Sequence, residues 1–486
     1  GRVTVRITSS SWHNKTGSPG LFRQQWKLLP GAEHFSGTLS GSVENGLLTA
    51  SMKQAKMPYE TVFRAPLEIA DGQATISWLN NDKGFQLDGR NIDVKAKAVH
   101  ARGGFRYLQP ANDEPWLGIL AGISTDDGSQ AWRYFPENLM GKDLVDYLSG
   151  AIQGGEADNA TLVYGGNPQL FPYKHNEGQF EVLVPLRNAK FAFQPDWPAL
   201  TNLDIELDFI NDGLWMKTDG VNLGGVRASN LTAVIPDYSK EKLLIDADIK
   251  GPGKAVGPYF DETPLKDSLG ATLQELQLDG DVNARLHLDI PLNGELVTAK
   301  GEVTLRNNSL FIKPLDSTLK NLSGKFSFIN GDLQSEPLTA SWFNQPLNVD
   351  FSTKEGAKAY QVAVNLNGNW QPAKTSVLPE AVNEALSGSV AWDGKVGIDL
   401  PYHAGATYNV EMNGDLNNVS SHLPSPLAKP AGEPLAVNVK VDGNLNSFEL
   451  TGQAGADNHF NSRWLLGQKL TLDRAIWAAD SKTLPP

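Results

Sequence analysis

Residues 203–209 read Leu-Asp-Ile-Glu-Leu-Asp-Phe, and this stretch decides the fold class. Apolar and acidic side chains alternate strictly, and successive side chains of a β-strand point to opposite faces. The pattern therefore predicts a strand with one apolar and one solvated face. Residues 243–249, 286–292 and 437–441 alternate in the same way. One-sided strands of this kind are typical of antiparallel sheets.

A long internal repeat accompanies the alternation. Residues 184–214 align without gaps to residues 303–333, with twelve identities over 31 positions at an offset of 119 residues. Short segments that end in Leu148-Ser-Gly, Leu269-Gly and Leu386-Ser-Gly recur at a similar spacing, and a strand pattern follows each one. Units of this kind that stack on their neighbours build elongated repeat proteins.

The repeat predicts four segments and few helices. We expect a β segment over 1–130 and repeat units of one helix plus strands over 131–255, 256–373 and 374–486. Short helices are predicted over Trp116–Ile123, Glu137–Ile152, Pro264–Leu273 and Pro379–Leu386, because a proline stands near each start and a glycine near most of the ends. The proline-rich stretch 421–434 is predicted to be a rigid, extended connector.

Composition restricts the partners. The net charge of −13 argues against nucleic acid, whose phosphates would be repelled. The absence of cysteine excludes disulfides and thiol catalysis, and it suits an oxidising compartment. No apolar run is long enough to span a bilayer and no signal peptide is visible, so we expect targeting or anchoring segments to lie outside this sequence.

Motifs for catalysis or metal binding are weak. Gly251–Gly257 lacks the spacing of a phosphate-binding loop, and Asp279–Asn283 lacks the glycine and glutamate of a calcium loop. The eight histidines are scattered, and no Gly-x-Ser-x-Gly turn occurs. The acidic row Asp204, Glu206 and Asp208 is interpreted as a solvated strand face. We therefore expect no enzyme activity, no cofactor and no metal.

The apolar strand faces need a cover, because apolar surface in water is unfavourable. Four short helices cannot cover the 25 to 35 strands that this length allows. Two interpretations stay open: a packed protein core, or a trough that holds acyl chains, each methylene of which costs about 0.8 kcal/mol in water.

A family resemblance favours the trough. The runs at 131–155 (AWRYFPENLMGKDLVDYLSGAIQGG), 197–214 (WPALTNLDIELDFINDGL) and 423–435 (LPSPLAKPAGEPL) resemble the AsmA-like family. The resemblance implies an all-β, elongated, repeating β-groove with an apolar concave face. It also implies a periplasmic section of a protein anchored in the inner membrane that conducts phospholipids toward the outer membrane.

The residues predicted to contact phospholipid acyl chains are the apolar positions of the alternating strands. They are Leu203, Ile205, Leu207, Phe209, Leu243, Ile245, Ile249, Leu286, Leu288, Ile290, Leu322, Phe326 and Phe328. Two other functions stay open. A scaffold or chaperone for envelope assembly would act through β-strand pairing, and a glycan-binding protein would use some of the 12 tryptophans for stacking.

Overall fold

The computed structural model describes residues 1–12, 32–57, 62–375, 378–425, 427–467 and 469–482. The predicted all-β fold is confirmed. In chain order the strands are β1 (Val3–Trp12), β2 (Ala32–Gly41), β3 (Asn45–Met57), β4 (Leu67–Asn81), β5 (Gly84–Ala96), β6 (Val99–Pro110), β7 (Trp116–Thr125), β8 (Ile152–Gly166), β9 (Gln179–Phe191), β10 (Leu200–Ile210), β11 (Gly213–Leu223), β12 (Val226–Ile235), β13 (Lys242–Pro252), β14 (Leu276–Asp279), β15 (Asp281–Pro291), β16 (Thr298–Ile312), β17 (Ser317–Ile329), β18 (Asp332–Ser335), β19 (Leu338–Trp342), β20 (Gln345–Glu355), β21 (Ala359–Trp370), β22 (Leu386–Gly388), β23 (Val390–Pro401), β24 (Thr407–Asp415), β25 (Val419–Ser421), β26 (Ala436–Asn444), β27 (Ser447–Ala454), β28 (Asn458–Leu465) and β29 (Thr471–Ala478).

The strands form antiparallel ladders. Twenty-seven of the strands described above belong to one sheet, and β22 and β25 pair with each other in a second, two-stranded sheet. Strands that follow each other in the chain pair as hairpins, for example β4 with β5 and β20 with β21. Such pairing directs alternate side chains of every strand to the same face, as the period of two predicts.

The helices are short. They are α1 (Glu137–Met140), α2 (Lys142–Ala151), α3 (Val256–Phe260), α4 (Ala271–Glu275) and α5 (Glu380–Glu384). The structure therefore has helices in the predicted region 137–152, in part of 264–273, where a π-helical turn at 266–270 precedes α4, and in part of 379–386. No helix among the described residues is long and apolar enough to cross a membrane.

The prediction of a helix over Trp116–Ile123 is wrong. These residues form β7, which pairs with β6 and with β8 over most of its length. Leu117, Ile119 and Ala121 alternate with glycine or solvent-facing residues, and this period of two outweighs the flanking proline. The ladder bonds on both sides of β7 supply more backbone partners than one short helix could.

The prediction of an extended connector over 421–434 is also wrong. The amide groups of Ser421 and Lys429 donate to each other's carbonyl oxygens at 2.8 and 3.0 Å, so the chain folds back on itself. The Lys429 ammonium also donates to the Val419 carbonyl at 2.9 Å.

The matching segments 184–214 and 303–333 share their local geometry. The pairing register shifts at equivalent points of the two segments. In the first segment, Leu203 opposes Ala189 and Ile205 opposes Leu186. In the second, Leu322 opposes Asn308 and Gly324 opposes Leu305. Three pairs of asparagines in the left-handed conformation recur at the same offset of 119, namely Asn188 with Asn307, Asn202 with Asn321 and Asn211 with Asn330. The boundaries of the four predicted segments remain a prediction.

The described residues divide into two compact units. Unit 1 comprises Gly1–Asn222, Ser229–Ala247 and Leu288–Val297, and unit 2 comprises Leu223–Ala228, Asp248–His287 and Thr298–Pro486. The core of unit 1 includes the fully buried side chains Leu144, Leu148, Leu203 and Leu214. The core of unit 2 includes the buried side chains Leu305, Leu322, Leu338 and Val349.

Candidate functional site

The apolar face of unit 2 is built by alternation along each strand. On β21, Val362 and Leu366 are buried and Val364 is half-buried, whereas the intervening Gln361 and Asn365 are exposed. On β20 the burial alternates in the same way, with Leu347 and Val349 buried and Asn348 between them exposed. One face of the unit is therefore apolar and the other is polar.

The pairing register aligns these side chains into rows that cross the strands. In an antiparallel ladder, directly opposed residues lie on the same face. One row, here called the valine row, consists of Phe351, Val364, Val396, Val410, Val441 and Leu450, each opposite the next. A parallel row consists of Val349, Leu366, Gly394, Met412, Val439, Gly452, Phe460 and Trp477. The apolar surface is thus continuous across eight strands.

The cover over this surface decreases along the rows. Leu347, Val349 and Leu366 are buried, and they belong to a cluster with Leu322 and Leu338. Farther along, the side chains of β24, β26 and β27 are mostly half-buried, and on β29 Trp477 is 53% exposed. Contiguous apolar surface that stays open to solvent marks a binding surface more often than a core.

An aromatic cluster stands beside the buried end of the rows. The rings of Trp370 and Trp392 are 4.8 Å apart, and Trp342 lies 4.7 Å from Phe343 and 6.2 Å from Trp370. The Trp370 indole donates to the Pro346 carbonyl at 2.8 Å, which satisfies its buried N–H group. These rings close off the apolar face near the ends of β21 and β23.

The polar face of unit 2 is held by amide and ion-pair contacts. Asn365 donates to Asp350 at 2.7 Å, and Asn438 donates to Asn413 at 2.6 Å. Lys325 lies 2.8 Å from Glu302, and this contact raises the pKa of Lys325. Cross-strand pairs of this kind fix the register and keep this face solvated.

Unit 1 has an apolar face of the same construction. One row consists of Leu39, Leu48, Ile76, Gly89, Phe105, Ile119, Tyr164 and Phe180. On β10, Leu203, Ile205 and Leu207 lie on this face and are buried. The Phe209 ring, on the same face, lies 6.2 Å from Phe135 in the segment between β7 and β8.

The predicted lipid contacts differ in burial. Leu203, Ile205, Leu207, Leu243, Ile245, Ile290 and Leu322 are buried, and Phe209, Ile249, Leu286, Leu288, Phe326 and Phe328 are half-buried. Leu322 and Phe326 contact the apolar cluster of unit 2, where the Phe326 ring lies 5.5 Å from that of Phe351. Their role in lipid contact remains a prediction.

The prediction missed a half-buried part of the apolar surface. Four valines belong to the valine row, and none of them is among the residues predicted to contact lipid. They are Val364, Val396, Val410 and Val441. Their strands do alternate, but valine alternates there with asparagine, lysine and glycine in short runs. The pattern signals a strand, and only the register shows that these valines meet.

The acidic row on β10 is less solvated than predicted. Asp204 is exposed and accepts a hydrogen bond from the Asn188 amide at 3.0 Å, and Glu206 lies 3.0 Å from Lys217. Asp208 is half-buried, and its Oδ1 atom has no donor among the described residues. Burial first, and the neighbouring Glu181 second, raise the pKa of Asp208.

The weak motifs have ordinary structural roles. In Gly251–Gly257, the Lys254 ammonium lies 2.9 Å from the Asp279 carboxylate, so its charge is already paired. That contact is the main cause that lowers the pKa of Asp279. Within the described part of the chain, no three His, Asp or Glu side chains are grouped so as to hold a metal ion.

The profile of the YhdP protein family matches residues 2–486. The intermembrane phospholipid transporter YhdP of Escherichia coli (strain K12) is 98% identical over 463 residues, which is 95% of this chain and 37% of that protein. No solved structure matches the chain. The chain, which spans little more than a third of that relative, therefore belongs to the YhdP family.

Proposed function

We propose that this chain is a periplasmic section of a bridge that conducts phospholipids between the inner and outer membranes. Acyl chains would lie along the apolar faces, which would form the lining of a groove. The observation that carries the proposal is the continuous apolar surface of unit 2, which is buried at one end, half-buried over β24–β27 and exposed on β29.

The energetics favour such a surface for lipid. A phospholipid with about 30 methylene groups would meet a penalty above roughly 20 kcal/mol if its chains crossed water alone. Apolar side chains such as Val396 and Val441 offer the acyl chain an apolar contact at each strand that it crosses. No single residue would dominate, because the contact is spread over many rows.

The relative supports the assignment of the cargo. A protein 98% identical to this chain bears the name of an intermembrane phospholipid transporter, not that of an enzyme. We infer that this section shares its cargo and has no catalytic role. We also infer that its connection to the inner membrane, and any contact with the outer membrane, involve parts of the longer protein.

Native mass spectrometry of the purified chain tests the proposal. We expect co-purified phospholipid, with the adduct lost on delipidation and regained from vesicles of Escherichia coli phospholipid. A photo-crosslinking residue at Val441 should then give lipid adducts, whereas one at Lys440, the adjacent residue on the polar face, should not. Protein adducts alone, at strand edges, would favour the scaffold, and a lipid-free chain with glycan adducts would favour a glycan-binding protein.

A further inference from the structure

A helical segment crosses unit 1 at one end of its strands. Residues 126–151 connect β7 to β8 and include a 3-10 helix at 128–134, then α1 and α2. We call this segment the strap. The Tyr134 hydroxyl donates to the Lys97 carbonyl at 2.5 Å, between β5 and β6. The Glu137 amide donates to the Val62 carbonyl at 3.1 Å, just before β4.

The strap contacts the apolar face at Phe209. Leu144, Val145 and Leu148 have no exposed surface, and Phe135 is buried with its ring against Phe209. Phe209 lies on the same face of β10 as three other residues predicted to contact lipid, Leu203, Ile205 and Leu207, which are buried. An acyl chain at Phe209 would occupy the place of the Phe135 ring, so the two cannot both lie there.

Ion pairs at the surface hold the strap to the β3–β4 connection. The Arg64 guanidinium pairs with Glu137 and lies 2.6 Å from the Asp146 carboxylate. Lys142 pairs with Asp146 within α2. These carboxylates remain partly exposed, so water and salt can compete for the pairs.

The strap has little intrinsic stability. α1 has four residues and α2 has ten, and neither has a side-chain N-terminal cap. Helices of this length are marginal without tertiary contacts. Segments held by few backbone bonds to the rest of a domain are the ones that open locally.

We propose that the strap is a gate which closes the apolar face of unit 1 and that Arg64 is its latch. This inference rests on the proposed lipid conduction and specifies where access is controlled. When the latch opens, a lipid acyl chain replaces Phe135 as the cover of the face at Phe209. The exchange of one apolar cover for another leaves the face shielded from water throughout.

The experiment places a photo-crosslinking residue at Phe209 in unit 1 or at Val441 in unit 2, in the complete 486-residue chain. The absence of native cysteine also permits thiol labels on the strap without background. The chain is incubated with vesicles of Escherichia coli phospholipid, and lipid adducts are quantified by mass spectrometry. The variants are Arg64→Glu and the milder Arg64→Met, which keeps the aliphatic stem.

Arg187→Glu is the matched control. Arg187 also pairs with two carboxylates, Asp158 and Glu156, which belong to β8 and not to the strap. We expect the Phe209 adduct to rise at least threefold in both Arg64 variants and to stay unchanged in Arg187→Glu. The Val441 adduct should be the same in all. In the unmutated chain, 0.5 M NaCl should raise the Phe209 adduct, and the same salt should add nothing in Arg64→Met.

Hydrogen exchange gives a readout that needs no lipid. Amides of 142–151 should exchange faster in the Arg64 variants while those of β10 stay protected, and a melting curve checks that the variants are folded. Equal adducts at Phe209 and Val441 in the unmutated chain would overturn the gate and leave the conduit intact. If the lipid adduct at Phe209 stays low in both Arg64 variants and in the unmutated chain at 0.5 M NaCl, the strap is a permanent part of the core and not a gate. No adduct at either position would contradict the conduit and the gate together.

Discussion

A charge at the centre of the valine row tests the conduit most directly. Val364 is half-buried on β21, between Phe351 on one side and Val396 on the other. Its neighbour Ala363 is exposed on the polar face, opposite Ser352 and Gly397. Val364→Asp and Ala363→Asp therefore place the same carboxyl group one residue apart, on opposite faces of the same strand.

The expected effect follows from the sheet geometry. An acyl chain that crosses one strand, at the spacing of about 4.8 Å, places roughly four methylene groups beside it. A hydrated carboxylate there removes their apolar contact, at about 0.8 kcal/mol for each group. The local penalty is about 3 kcal/mol, which lowers lipid occupancy at this point about 100-fold.

The assay measures lipid adducts at a photo-crosslinking residue that replaces Val396, directly opposite Val364. We expect Val364→Asp to abolish most of the adduct, Val364→Ala to keep most of it, and Ala363→Asp to leave it unchanged. Because an apolar site raises the pKa of a carboxyl group, the adduct in Val364→Asp should recover partly as the pH is lowered. Equal adduct in Val364→Asp and the unmutated chain, with both folded, would refute the reasoning.

Three further predictions concern stability, each measured by thermal or denaturant unfolding. Tyr360 is fully buried and its hydroxyl donates to the Gly331 carbonyl at 2.6 Å, so Tyr360→Phe should cost about 1–2 kcal/mol. Asp88 lies 2.6 Å from Arg106, whose hydrogen bond lowers the pKa of Asp88. The stability from this pair should be complete above pH about 4 and lost as the pH falls through the lowered pKa, and Asp88→Asn should cost about 1–3 kcal/mol and flatten that dependence. Asn307 has φ of 54°, so Asn307→Ala should cost about 1–2 kcal/mol whereas Asn307→Gly should be nearly neutral.

The strands were predictable because their signal is local. The alternation in 203–209 and 437–441 depends only on residues two apart, and the structure has strands at both places. The two matching segments, 184–214 and 303–333, were visible in the same way, and they share their register shifts. The error at Trp116–Ile123 arose where a proline and a glycine outweighed a short alternating run.

The amino-acid sequence by itself determined the fold class, the one-sided character of the strands and the internal repeat, since each depends on the order of neighbouring residues. The tertiary structure alone decided which valines meet across β21–β26, and how far each apolar face is covered. It also decided that the segment 126–151 contacts β10 through Phe135 and Phe209 and pairs with Arg64, which lies 73 residues before Glu137. These features depend on pairing register and on contacts between distant residues, which no local pattern encodes.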